Sequence, residues 1–230
     1  VGLRSWNGEG DVTSQDQWHL GSCTKAITAT LVARLIDGGV LSADTTIGDV
    51  FGDSMPSMNP AWNDVSITWL LCHRSGASLN FAQALWERMV AHGGALREQR
   101  RFFVEEGLAL APDKEPNTET VYSNAGFMIA GAMLEELEDA AWEELVRREV
   151  FEPPGMMRTG FGAPGTPGRL DQPLGHTGAA GSWSPIELGP AADNPAATGP
   201  AGTVHTTLAD RARFAGAHLR GARGDESYLK

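Results

Sequence analysis

The sequence predicts an α/β (α+β) fold in which helices dominate and lie against a sheet supplied mostly by strands outside residues 1–230. Three observations carry this. Apolar residues recur at helical spacing over 24–37 (Ile27, Leu31, Val32, Leu35, Ile36) and again over 124–137 (Phe127, Ile129, Ala130, Met133, Leu134, Leu137). Strand patterns are nearly invisible, with 3–6 and 203–205 as short candidates. From 160 to 202, Gly, Pro, Ala and Asn replace periodicity, a texture of functional surface or loop.

The elements follow in order. The polar stretch 1–17 leads through Trp18-His19-Leu20-Gly21 into the first helix, which Gly38-Gly39 ends with the residue type that tolerates left-handed backbone. A short segment over 47–51 follows, then a Pro/Ser/Asn loop over 53–60. Ser66 is placed to cap a helix carrying Trp69, Leu70 and Leu71, which stops near His73-Arg74-Ser75-Gly76, the glycine fitting a C-terminal cap. Residues 81–110 read as one or two helices, with a break at Gly93-Gly94, and 112–120 as polar loop. The amphipathic helix over 124–137 precedes another over 141–150, halted by Pro153-Pro154-Gly155. Thr206-Thr207 opens a last helix to about residue 219, with Asp210 completing an imperfect capping box.

Composition narrows the function. The net charge of −11 and the scarcity of lysine argue against nucleic acid and anionic membrane surfaces as partners. There is no run of about 18 apolar residues, so no membrane-spanning helix is expected. The two cysteines, Cys23 and Cys72, make no disulfide framework, and Cys23 reads as a buried structural thiol. The six histidines include no H-x-x-x-H or H-E-x-x-H pair, and there is no phosphate-binding glycine motif, so no metal and no cofactor is expected. Residue 1 opens mid-pattern without a leader, so the native start is expected upstream and the compartment is not legible.

The most informative stretch is Ser22-Cys23-Thr24-Lys25. Residues i and i+3 share a helix face, so Ser22 Oγ and Lys25 Nζ project to the same side. A serine hydroxyl needs a nearby base to become a nucleophile, and a helix start supplies a positive field where an oxyanion would form. By itself the tetrapeptide also fits a capping serine and a solvated lysine. Tyr122, in Val121-Tyr122-Ser123-Asn124, reads either as a half-buried anchor or as a base beside a lysine. Ser123 and Asn124 have capping available as a simpler role. His73 reads as a structural histidine bonded to backbone rather than an acid–base group. Gly199-Pro200-Ala201-Gly202-Thr203-Val204-His205 is a turn that ends a loop or borders a cleft. The carboxylates of Glu135, Glu136, Glu138 and Asp139 read as a solvated helix face.

Taken together and in this order, Trp18 to Ala26, the Leu-Ser-Ala-Asp-Thr stretch from Leu41, Leu70 to Gly76, Tyr122-Ser123-Asn124-Ala125-Gly126 and Pro200-Ala201-Gly202 resemble the serine β-lactamase and penicillin-recognising superfamily, in its class C-like branch with esterases and D-aminopeptidases. The resemblance covers about residues 18–219 and implies a β-lactamase-like serine hydrolase fold and a small-molecule substrate. It implies Ser22 as the acylated nucleophile, with Lys25 holding or taking its proton and Tyr122 as general base. Asn124 would bind a substrate amide or steady Lys25, and the Ser22 backbone N–H would form half of an oxyanion hole. The reaction implied is acyl transfer to water from an ester, a β-lactam or a small amide. The family's third motif, Lys or His then Thr or Ser then Gly on an edge strand, follows the Pro-Ala-Gly segment and its helix. His176-Thr177-Gly178 has the letters but precedes that segment in a glycine-rich loop, and reads as a decoy. Residues 1–230 are therefore expected to form one partial domain: the nucleophile helix over 18–40, a helical region over 41–170, and a loop and helix over 171–230. The competing expectation is a non-catalytic scaffold or binding remnant of the same fold.

Overall fold

A computed structural model of the chain describes all residues except 1, 7, 9, 81, 190, 191 and 230. Its helices are α1 (Thr24–Asp37), α2 (Ile47–Phe51), α3 (Ile67–Leu71), α4 (Gln83–His92), α5 (Leu96–Leu108), α6 (Asn124–Glu138), α7 (Trp142–Val146), α8 (Gly199–Gly202) and α9 (Leu208–Gly221). The strands are β1 (Gln17–His19), β2 (Thr159–Phe161), β3 (His176–Ala179), β4 (Ser182–Pro185) and β5 (Val204–Thr207). An antiparallel sheet runs in the order β1-β5-β2, with Trp18 opposite Thr206 and Gly160 opposite His205, and β3 and β4 form a separate hairpin. The molecule is thus a helical assembly with a small antiparallel sheet, as the sequence predicts.

Local chemistry places several helix ends. The Ser66, Ser123 and Thr207 hydroxyls accept backbone N–H groups of Trp69, Gly126 and Asp210, satisfying donors that a helix start leaves without partners. Gly93 and Gly94 sit at φ +66° and +83°, which breaks the segment after Phe81 into α4 and α5; Phe81 itself lies outside the described residues. Three expectations are corrected. The left-handed residue just past α3 is His73, at φ 60°, while Gly76 serves a close approach, since a Cβ there would collide with the Lys114 carbonyl. The 3–6 candidate contributes an isolated bridge from Leu3 to Asp11, whereas three-residue strands β1 and β2, too short to show a period, build the sheet. The helix over 124–137 is not amphipathic along its length. Residues 125–135 are buried on every face and Leu137 is exposed, because α6 runs through the centre with α3, α5 and α8 packed around it.

The central position of α6 explains Gly131. A Cβ there would stand 2.9 Å from Pro200 Cβ and closer still to the ring, so only glycine lets α6 and α8 approach. Gly131→Ala would gain up to ~1 kcal/mol of helix propensity but meets an overpacking cost of ~1–3 kcal/mol. The expected outcome is a net loss of about 1 kcal/mol, read as a lower denaturant midpoint with unchanged slope.

The carboxylate run at the end of α6 also departs from the solvated-face reading. Glu135 is buried and pairs with Arg100, which is itself wholly buried and also bonds Glu143 at 2.7 Å. Glu136 and Glu138 pair with Arg101 and Arg148, and Asp139, at φ 48°, pairs with Arg97 on the surface. Burial, opposed by Arg100 and by the Trp142 N–H, holds the Glu135 carboxyl above its usual range.

Candidate active site

A 3₁₀ turn, Gly21–Cys23, enters α1 and presents Ser22. The turn is tied to β5 on both sides: Leu20 N–H donates to the Val204 carbonyl at 2.8 Å, and Val204 N–H to Thr24 Oγ1 at 3.1 Å. One helical turn on, Lys25 is 7% exposed. The 100° step between helix residues turns Thr24, Lys25, Ile27 and Thr28 inward and leaves Ser22, Cys23 and Ala26 outward. Cys23 is therefore exposed, correcting the buried-thiol expectation, and so is Cys72; neither forms a disulfide.

Tyr122 Oη lies 2.6 Å from Ser22 Oγ, and Lys25 Nζ lies 3.2 Å from the same oxygen. Lys25 Nζ also donates to Asn124 Oδ1 and to the Ala201 carbonyl, each at 2.7 Å. Three acceptors thus meet the three donors that an ammonium carries. Asn124 opens α6, and its Nδ2 donates to Asn80 Oδ1 at 2.9 Å, which orients the amide with its oxygen toward Lys25. The cap of α6 is Ser123, so Asn124 is released from the capping role that the sequence left open.

Tyr122 is 45% exposed, and Lys25 Nζ stands 4.8 Å from its ring centre. Burial, the largest single influence, works to raise its phenol; the bonds to Lys25 and Ser22 and the charge of Lys25 outweigh it, and the net direction is downward. The other tyrosine goes the opposite way. Tyr228 is buried, donates to the Val150 carbonyl at 3.1 Å, and is pushed up to about 12 by burial, with Arg34 opposing. His73 packs 4.6 Å from the Tyr122 ring and accepts the Ser123 N–H at Nδ1, 3.1 Å away. Burial and then the charge of Lys25 hold its imidazole below the ordinary value, which favours the neutral ring that this acceptor geometry requires.

Ser22 opens onto a cleft of about 310 Å³ lined also by Asn80, Trp86, Asn124, Asn194 and Thr198. His19 braces the turn that carries Ser22: its Nδ1 accepts the Gly21 N–H at 3.1 Å and its Nε2 faces Asp193 at 2.9 Å. The structure therefore brings Ser22, Lys25, Tyr122 and Asn124 together from α1 and the start of α6. Asn80, Trp86 and Asn194 were missed, because single polar or aromatic residues in loops and on a short helix carry no spacing signal. His176-Thr177-Gly178 is not loop but strand β3; His176 Nε2 accepts the Trp6 N–H at 2.9 Å, and the residue does not line the Ser22 cleft. Among the described residues no cluster of potential metal ligands is found, and no helix is long and apolar enough to cross a membrane.

The Beta-lactamase family model matches residues 1–230. Penicillin-binding protein 4 of Amycolatopsis lactamdurans is 31% identical over 209 residues, covering 90% of this chain and 52% of that protein. Among solved structures, a penicillin binding protein from Bacillus halodurans superposes with a TM-score of 0.74 at 22% identity, covering 99% of this chain and 68% of the other. The D-amino acid amidase of Ochrobactrum anthropi SV3, complexed with L-phenylalanine, gives a TM-score of 0.74 at 22% identity, covering 100% and 60%. The chain spans about half the length of the curated relatives it matches. A sequence match running its whole length, on a fold shared with penicillin-binding proteins and amidases, shows that the chain belongs to the beta-lactamase family.

Proposed function

We propose that the protein is a serine hydrolase that works through an acyl-enzyme intermediate on an ester, a β-lactam or a small amide. The observation that carries this reading is the continuous bonding from Tyr122 through Ser22 to Lys25 at the mouth of a cleft. Ser22 Oγ attacks the substrate carbonyl carbon while its proton passes to Tyr122. Lys25 favours the phenolate that accepts it. Collapse breaks the bond to the leaving group, which takes the proton back from Tyr122. Water then enters by the same route in reverse and frees Ser22. The Ser22 backbone N–H, at the start of α1, serves as one oxyanion donor. Asn124 steadies Lys25 and holds its amide at the cleft wall for a substrate amide. Kinship with a penicillin-binding protein and likeness to a D-amino acid amidase support an acyl substrate of this kind.

The test is labelling of the full-length protein with a fluorophosphonate and, separately, a β-lactam, with the adduct located by peptide mass spectrometry. The expected result is modification of the peptide containing Ser22. A folded protein that takes neither label would sink the proposal.

A further inference from the structure

Three carbonyls of one short segment are each held by a different side chain, and the third of these side chains is Lys25. The segment combines a 3₁₀ turn, Ala196–Thr198, with α8. The Ala197 carbonyl accepts from Arg100 Nε at 2.9 Å, the Pro200 carbonyl from Thr28 Oγ1 at 2.8 Å, and the Ala201 carbonyl from Lys25 Nζ at 2.7 Å. Arg100 and Thr28 are both fully buried. The remaining Arg100 nitrogens bond Glu135 and Glu143, and Glu135 also accepts the Trp142 N–H at 2.8 Å. The same cluster presses on the segment a second time: a Cβ on Gly199 would stand 2.9 Å from Glu143 Oε1 and 3.1 Å from the Trp142 ring. A buried ion cluster gives little stability that an apolar replacement could not match. What it does supply is direction, because a planar guanidinium clamped by two carboxylates aims its Nε along a fixed line.

We infer that Arg100 and Thr28 are positioning residues for Lys25, holding the 197–201 backbone so that the Ala201 carbonyl fixes the ammonium beneath Ser22 and Tyr122. This rests on the hydrolase reading of Ser22, Lys25 and Tyr122. Arg100 acts from α5 and Thr28 from the next turn of the helix that carries Lys25. The titratable groups that face Lys25 are Tyr122 and His73, and both remain in the variants that test the idea.

The experiment uses the full-length protein with ¹³C-labelled lysine, the Lys25 signal being assigned by its loss in Lys25→Met; residues 1–230 hold only Lys114 and Lys230 besides. Thr28→Val keeps the shape and removes the bond to Pro200. It is expected to shift the Lys25 side-chain ¹³C signal, displace the pH profile of fluorophosphonate labelling, and slow that labelling about tenfold, the scale of one lost hydrogen bond. Thr28→Ser should restore all three, and Arg100→Lys should move them in the same direction as Thr28→Val. If Arg100→Lys does not fold, the Thr28 pair decides. A Thr28→Val protein with a lower melting temperature but an unmoved Lys25 signal and pH profile would overturn the inference, leaving Thr28 a packing residue. A wild type that resists acylation while the Lys25 signal still moves in Thr28→Val would refute the hydrolase and leave the positioning intact. Resistance together with an unmoved signal would refute both.

Discussion

Ser22→Ala is expected to remove fluorophosphonate labelling completely and to lower hydrolysis by at least about 10³-fold, since no acyl-enzyme can form without the hydroxyl. The residual rate would come from substrate binding and oxyanion stabilisation alone. Little else should change. Ser22 is exposed, and its Oγ is an acceptor in its bonds to Tyr122 and Lys25, so alanine leaves no cavity in the core. The variant should melt close to the wild type and bind a slow substrate with unchanged affinity. That pairing separates an enzyme from a binding scaffold. If hydrolysis persists in Ser22→Ala, the nucleophile lies elsewhere; if the wild type binds without turnover, the scaffold reading takes its place.

Tyr122→Phe carries the next largest effect. The ring and its contact with His73 remain, but the oxygen 2.6 Å from Ser22 is lost. Acylation is expected to fall by about 10²–10⁴-fold, the range for a positioned general base. The pH profile gives the sign. In the proposed mechanism the phenolate is the active form, so the wild-type rate should fall as pH drops through the Tyr122 pKa, which lies below the usual phenol value because Lys25 and Ser22 outweigh burial. In Tyr122→Phe that acid-side limb should disappear. A limb that survives in stopped-flow acylation profiles would assign the base to another group.

Much of this site was legible because it rests on local rules. S-x-x-K is a statement about helix faces, and the structure places Ser22 and Lys25 on neighbouring turns as the spacing requires. Ser66, Ser123 and Thr207 are caps by side-chain chemistry, and Gly93-Gly94 breaks a helix by backbone freedom. What escaped depends on contacts between distant segments. Glu135 shares a charge run with Glu136 and Glu138, and nothing in the run says which of the three meets a buried arginine 35 residues away. Arg100 and Thr28 look like ordinary helix residues until the 197–201 carbonyls arrive. Strand β5 showed only in part, and β1 and β2 not at all, because three residues cannot display an alternation. The exposure of Cys23 was decided by helix phase: once Lys25 faces inward, position 23 points out.

The three acceptors around Lys25 come from three places in the chain: Ser22 beside it, Asn124 a hundred residues on, and Ala201 near the end. If the segment of Asn124 or of Ala201 swings away by itself, the largely buried Lys25 loses a charge-assisted acceptor, at a cost of about 1.5–3 kcal/mol. Fraying of the 197–201 segment therefore cannot stay local. It must either be suppressed or draw in the start of α6 and the turn that carries Ser22. Lys25 thereby joins regions remote in sequence into one unit of opening and closing, and the amine proposed to tune the chemistry also sets how cooperatively the cleft comes apart.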